Sequence, residues 1–412
     1  MRWALLGDYP DGLDMARALA ETGRHELVVY CGPPTGTEIL ARAGLHPARI
    51  GDMEEVLADP TVEAVIVAGP LAARPDQLRR ALQSERHVLC VHPADRAPDI
   101  AYEAAMLQAD TGCILLPLLP EGLHPAVRRL AELARAEDRP PRLVELERWS
   151  PEELIGAGDV EGRGRNLPGW DVLRAVGGDI AEVFAIAQTE EELAAGEPVI
   201  VTGRFVDGPL WQTTYLPQQA AARWRLALVY RTGRAVLEFP DGWPGAARLT
   251  YTDAQGQAQT EAWPALHPWM PVVEAFEGEV RERATAELSW RDEQRALELD
   301  DAARRSIARR RSSTLEYQEA TEEASFKGTM TLVGCGLLWV TVMLVILSPL
   351  QPKILWLIAP VFAVFLALQV FRWVIPARAR DTAINAGAAD TPAHRASIRR
   401  ASPDAVRQDP PR

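Results

Sequence analysis

The chain has 412 residues and a formal net charge of −13, long enough for two folded domains and appendages. The charge is uneven: residues 1–326 carry 34 basic and 53 acidic side chains, whereas residues 327–412 carry 10 and 4. An acidic body argues against nucleic acid as the main partner, because phosphate recognition needs a basic face.

The sequence opens on a strand, "RWALLG", that runs into "LLGDYPDGLDMARAL". This is the outline of a dinucleotide-binding turn, strand then Gly-x-Gly-x-x-Gly then helix. Gly7 and Gly12 take the first and third glycine positions; Tyr9 stands at the middle one, with Asp8 and Asp11 around it. "HELVVYCG" is the next strand, "TEILARAGL" and "DMEEVLADP" are helices, and "VEAVIVAG" is a continuous apolar run, as expected of a strand buried on both faces. The helix "RPDQLRRALQSE", the strand "HVLCVHP", the helix "PDIAYEAAMLQADTG" and the strand "CILLPLL" complete residues 1–120. Repeated strand–helix units of this length predict a parallel, doubly wound α/β sheet of Rossmann-like type.

From about residue 121 the pattern changes. The helix "HPAVRRLAELARAE" leads to the strand "PRLVELERW", a Gly-rich stretch and a further helix. Strand signals separated by "TG", "DG" and "AQG" turns follow, and hairpins are expected. A helical block covers roughly residues 269–311, where Ser289 and Asp292 form a capping box and Ala296, Leu299, Ala303 and Ile307 share one face. Residues 121–311 are therefore expected to be an α+β domain with a mostly antiparallel sheet, followed by a linker over 312–327.

Residues 328–352 and 354–371 carry no charge, and each is long enough to cross a bilayer as a helix. The short connection "SPLQPK" makes them a transmembrane helical hairpin over 328–375. Arginines on both flanks place the folded domains and the tail on the cytoplasmic side of the inner membrane by the positive-inside rule. The tail, 376–412, lacks apolar periodicity and is expected to be disordered.

The four cysteines, Cys31, Cys90, Cys113 and Cys335, have no metal-ligand spacing and lie in or beside apolar stretches. They read as small buried hydrophobes in a reducing compartment, with no metal site. The apolar part of "MRWALLGDYP" is too short for a signal peptide. The first lysine is Lys327, so no lysine in the body can act as an acid, a base or a Schiff-base nucleophile.

Three segments together resemble the Gfo/Idh/MocA family of NAD(P)-dependent oxidoreductases, which act on sugars, inositols and related polyols. They are "DMEEVLADPTVEAVIVAGP" with "ALQSERHVLCVHPADRAPDIAYEAAMLQADTG", then "GGDIAEVFAI", then "SWRDEQRALELDDAARRSIARRR". The resemblance covers about residues 2–311 and implies an NAD or NADP site, a sugar or polyol substrate and a homodimer formed through the second sheet. The cofactor-binding positions it implies are Gly7, Tyr9, Gly12, Pro70, Arg74 and Pro93.

Several positions depart from the family pattern. Tyr9 is bulky where the middle glycine lets the backbone approach the diphosphate, and Asp8 and Asp11 bring negative charge there. "VVYCGPP" has no acid for the adenosine ribose. The family's Glu-Lys-Pro element is Val91-His92-Pro93; His92 is either a replacement acid–base group or a polar strand-end residue. Arg74, where the family has histidine, either offsets phosphate charge or is a solvated helix-start side chain. "GGDIAEVFAI" resembles the Gly-rich helix start that carries the family's catalytic Asp and His, which fall on Val183 and Ala187; Glu182 would substitute only with a register shift. Two readings follow: a membrane-anchored, non-catalytic binding or regulatory relative, or an active NAD(P)-dependent oxidoreductase acting on CH–OH groups through an altered site. A structural partner of another membrane protein is a third.

Overall fold

The computed structural model describes residues 1–136, 140–150, 167–187, 198–217, 223–282, 287–309 and 313–314. All but a few residues of the first sheet's strands are apolar. These strands are β1 (Arg2–Leu6), β2 (Glu26–Cys31), β3 (Ala48–Arg49), β4 (Ala64–Val67), β5 (His87–Val91) and β6 (Leu115–Leu118). All pair in parallel, in the order β3-β2-β1-β4-β5-β6. Every residue of β4 and β6 is buried, which is why those runs lack polar alternation. Helices α1 (Pro10–Glu21), α2 (Pro34–Arg42), α3 (Met53–Ala58), α4 (Arg74–Gln83) and α5 (Asp99–Thr111) connect them. The doubly wound sheet expected from the sequence is present. Its order reverses between β1 and β4, and such a switch point leaves a crevice at the strands' carboxyl ends.

The second part starts with a one-turn 3₁₀ helix at Glu121–Leu123 and α6 (Pro125–Ala134). It continues through β7 (Leu143–Ser150), α7 (Trp170–Gly177), β8 (Ile180–Ala187), β9 (Val199–Phe205), β10 (Leu210–Pro217) and β11 (Arg223–Val229). Then come β12 (Arg234–Phe239), β13 (Ala247–Thr252), β14 (Ala258–Trp263), α8 (Met270–Glu282), α9 (Trp290–Arg309) and β15 (Ser313–Thr314). Among the described residues these nine strands order as β14-β13-β12-β11-β7-β10-β9-β8-β15. Neighbours are antiparallel except β7 and β10, so the sheet is mixed rather than uniformly antiparallel. One face packs Val144, Leu146, Trp211, Leu226 and Leu237 against Trp170 and Leu173 of α7 and Ala296, Leu299, Ala303 and Ile307 of α9. Burying each of the valine, leucine and isoleucine side chains among them contributes roughly 1.5–3 kcal/mol. The other face leaves Ile186, Ile200 and Leu210 exposed.

Helices α8 and α9 reach back to the first sheet. Val272, Val273 and Phe276 of α8 share a core with Trp3, Leu5 and Met15. Trp290 and Leu297 of α9 share another with Val65, Val67 and Ile100, and the Trp290 indole donates to the Ala101 carbonyl at 2.8 Å. The box at the start of α9 is present, with the Asp292 carboxylate accepting the Ser289 N–H at 2.8 Å and its hydroxyl at 3.1 Å.

Two expectations are corrected. "GGDIAEVFAI" is not a helix start. Gly178, at φ +85°, caps the carboxyl end of α7, and Ile180–Ala187 is strand β8. Its burial has a period of two, with Val183 and Ala185 inside and Ile186 outside. Gly177 is small because a Cβ there would lie 2.2 Å from the Phe205 ring. The second correction concerns the inner-membrane location: among the described residues no helix is long and apolar enough to cross a membrane. The expected hairpin over 328–375 and the tail over 376–412 lie outside the described residues, as does Cys335. Among the described cysteines Cys90 and Cys113 are buried and Cys31 is half-buried, all unpaired.

Candidate active site at the switch point

The turn after β1 keeps the two glycines for shape. Gly7 has φ +102°, and a Cβ there would strike the Ala68 carbonyl oxygen at 2.3 Å. A Cβ on Gly12 would lie 2.2 Å from the Ala68 Cβ, so α1 rests directly on β4. The middle position differs. The Tyr9 N–H is used on the Ala68 carbonyl at 2.9 Å, and the Tyr9 ring lies 4.3 Å from the Arg74 guanidinium carbon. Arg74 is not a solvated helix-start residue: it is 1% exposed. Its Nε donates to the Gly69 carbonyl at 2.8 Å and its Nη1 to the Pro93 carbonyl at 2.7 Å. Pro70 starts this α4 turn, its carbonyl accepting from Ala73 and Arg74. Pro10 has no N–H to offer at the first helical position, and Asp11 puts a carboxylate in the first turn. At the end of β2, where the family resemblance implies a ribose-binding acid, the residue is Cys31.

Beside this turn lies a cavity of about 510 Å³. Asp11 and Asp14 of α1, His92 after β5, Leu118 of β6, Glu121, Asp171 of α7, and the indoles of Trp170, Trp243 and Trp269 contribute to its wall. The sequence-derived candidates therefore separate. His92 faces the cavity, and Gly7, Tyr9, Gly12, Pro70, Arg74 and Pro93 group around the adjoining turn. Glu182 does neither: it lies in β8, paired with Arg204 and Thr314, and is not among the cavity's lining residues.

His92 is held from behind. Its Nδ1 lies 2.8 Å from Oε2 of Glu293, a wholly buried residue of α9. The other Glu293 oxygen accepts the Ala94 N–H at 2.7 Å. An ionised carboxylate can only accept, so a bond from Nδ1 to it requires a proton on Nδ1. Burial opposes the charged ring, but the Glu293 carboxylate and its hydrogen bond, with Asp171 and Asp300 beyond, outweigh it and raise the His92 pKa above its ordinary value.

Asp171 is a second titratable group on the cavity wall. Its Oδ2 accepts the Gly122 N–H at 2.9 Å. Burial, then the Glu121 charge, push its carboxyl up to about 6, against the pull of the Gly122 N–H and of Arg148. Glu121 is clasped by Arg148 through bonds of 2.7 and 2.8 Å, a bidentate pair. Burial also raises Asp11, with Arg74 opposing.

Sequence reasoning missed Asp171, Glu121 and Glu293. The available signal was charge in apolar company: Asp171 follows "LPGW" at the head of an apolar helix, and Glu293 lies on the buried face of α9. Among the described residues no cluster of three or more metal-ligating side chains occurs.

No family model matches the chain. In sequence it is similar to D-xylose 1-dehydrogenase (NADP(+)) 2 of Haloferax volcanii, 25% identical over 139 residues, 33% of this chain and 42% of that protein. The match thus spans about two-fifths of that relative's length. In structure it is similar to an oxidoreductase from Agrobacterium radiobacter in complex with NAD+, L-tartaric acid and magnesium, with a TM-score of 0.61 and 14% identity over 76% of this chain and 98% of that chain. It is also similar to levoglucosan dehydrogenase in complex with NADH and levoglucosan, with a TM-score of 0.62 and 14% identity over 77% of this chain and 100% of that one. Structural neighbours are Gfo/Idh/MocA-type NAD(P)-dependent oxidoreductases, and a parallel Rossmann-like sheet followed by a mixed sheet fits their architecture. The chain has that fold, and at these identities the likeness shows the fold alone.

Proposed function

We propose that the chain is an NAD(P)-dependent oxidoreductase acting on a CH–OH group of a sugar or polyol through an altered site. The observation that carries this reading is the convergence of His92 and Asp171 on one cavity at the switch point of the first sheet. Oxidising an alcohol carbon leaves a hydroxyl proton that a positioned base must take. His92, which lines the cavity and has its Nδ1 on Glu293, would take it through Nε2, and Asp171, titrating near 6, is a second group able to exchange the proton within the cavity. Trp243 and Trp269 give the cavity flat apolar walls, while Asp171 and Glu121 supply hydrogen-bond acceptors, a combination suited to a polyhydroxylated ligand.

When bound, the nicotinamide would supply the hydride acceptor. Gly7, Tyr9, Gly12, Pro70, Arg74 and Pro93 are the residues that would hold the dinucleotide. The donor set suits an anion at Arg74, a buried guanidinium whose hydrogen bonds among the described residues go to main-chain carbonyls rather than to a carboxylate. With the Tyr9 ring moved off it, Arg74 would take the part that glycine-turn N–H groups take elsewhere in such folds.

One observation favours a second, non-catalytic binding role: Tyr9 covers Arg74, and Pro10 and Asp11 weaken the anion site at the α1 terminus. A titration of the full chain with NADH and NADPH, followed by nicotinamide fluorescence, separates the two. Saturable binding, then nicotinamide reduction with a member of a sugar and polyol panel, supports the oxidoreductase; no binding at millimolar dinucleotide rejects it. The exposed Ile186–Ile200 pair and Leu210 lie on one face of the mixed sheet, and a homodimer through that face belongs to the same proposal.

A further inference from the structure

The residue that faces the cavity comes from the first sheet, but the group that holds it comes from a helix 201 positions later in the chain. Glu293 is an unusual occupant of its place. It sits at 0% exposure, about one helical turn from the buried Ala296 and Leu297 of α9. A carboxylate moved from water into such a place is costly unless its oxygens are satisfied. Here both are: Oε2 by the His92 Nδ1–H and Oε1 by the Ala94 N–H. The bonds of 2.8 and 2.7 Å fall in the charge-assisted range. The same two bonds fix the loop after β5 and the plane of the imidazole, because Ala94 and His92 bracket a single proline.

We propose that Glu293 is the positioning residue of this site: it sets the His92 tautomer, with the proton on Nδ1, and presents Nε2 to the cavity as the proton acceptor. The catalytic meaning of this arrangement rests on the oxidoreductase reading above, whereas the tautomer itself does not. Glu293 is not among the residues that line the cavity and acts on it through His92. Among the described residues, the carboxylates whose charge acts on or is felt by His92 include Glu293 and Asp300 from α9, Asp171 from α7 and Asp11 from α1. Of these only Glu293 is hydrogen-bonded to the ring, so its removal is expected to alter the tautomer and not merely the local field.

The test is nitrogen-15 NMR of the histidine rings in the full chain, without cofactor or substrate, with His92 assigned by the loss of its signals in His92→Gln. Wild-type His92 should show the Nδ1-protonated pattern when neutral; an Nε2-protonated pattern overturns the proposal even if no variant folds. In Glu293→Gln the amide oxygen can keep the Ala94 N–H while its NH₂ turns toward Nδ1. The neutral ring should then switch to the Nε2-protonated tautomer, and its titration midpoint should fall by about one pH unit or more. Glu293→Asp should keep the wild-type tautomer. An unchanged pattern and midpoint in Glu293→Gln, with wild-type far-ultraviolet circular dichroism, overturns the proposal. Where wild type turns over a polyol, Glu293→Gln should lower kcat about 10- to 100-fold with KM nearly unchanged. The wild-type tautomer pattern without any turnover leaves the Glu293 assignment standing and counts against the oxidoreductase reading alone.

Discussion

Asp171→Asn should make the protein more stable and less active, and the stability gain should depend on pH in a definite way. The Asp171 carboxyl rises from its ordinary 3.8 to about 6 on folding, chiefly through burial and then through Glu121. A carboxyl whose pKa is raised in the folded state is harder to ionise there than in the unfolded chain. The folded state then has no penalty below the unfolded pKa, a growing one between about 4 and 6, and the full penalty above that. A rise of this size corresponds to about 3 kcal/mol at most. Asparagine keeps an oxygen for the Gly122 N–H and cannot ionise. The variant should therefore gain up to about 3 kcal/mol at pH 7.5 and nothing at pH 3.5, a Tm difference of several degrees that vanishes on acidification. Thermal melts of full-length wild type and variant across that range measure it. A Tm difference that is the same at every pH, or a variant less stable than wild type at pH 7.5, refutes the reasoning. Turnover of any polyol by the variant should fall by about 10²-fold or more if Asp171 exchanges the substrate proton.

Tyr9→Gly removes the ring from Arg74, a contact of roughly 0.5–2 kcal/mol, so the affinity for NADH should rise about 2- to 30-fold in the fluorescence titration; weaker binding would mean that Tyr9 is itself a contact for the dinucleotide. Gly12→Ala forces a Cβ to 2.2 Å from the Ala68 Cβ and should destabilise the chain by about 1–3 kcal/mol in a denaturant titration, whereas an unchanged midpoint would mean that α1 lifts freely off β4. His92→Gln should leave NADH affinity within about 2-fold and lower kcat about 10²-fold or more, and an unchanged rate would remove His92 from the chemistry.

What the sequence disclosed, and what it hid, follows from the range of the interactions involved. β1, β4 and β5 are legible because a strand buried on both faces must be apolar throughout, and the strands from β9 to β13 because tight turns punctuate them. β14, "AQTEAW", carries no strand signal because nearly all of it is exposed and no apolar alternation marks it. β8 reads as a helix because the glycine pair at 177–178 resembles a helix start; Gly178 is the end of α7 and leaves the next residues to a period-two pattern. At the site, Gly7 and Gly12 were visible, since their reasons are local. Arg74 was visible as a residue but not as a buried one, because its partners are main-chain carbonyls supplied by the fold. Glu293 and His92 could not be paired by any rule of spacing, and the raised carboxyl of Asp171 depends on a burial that only the packed chain creates.

Helix α9 bears on how the chain can be divided. One of its sides completes the core beneath the mixed sheet; another seals the first sheet with Trp290 and Leu297 and braces His92. With α8 covering Trp3 and Met15, the C-terminal part of the described chain finishes what the N-terminal part begins. The two sheets should therefore melt in a single cooperative transition. A fragment ending near residue 120 would expose the apolar surface that α8 and α9 cover and would lose the hydrogen-bond partner of its own histidine. An isolated nucleotide-binding half is thus a poor surrogate for this protein, and its failure to bind a ligand would say nothing about the intact chain.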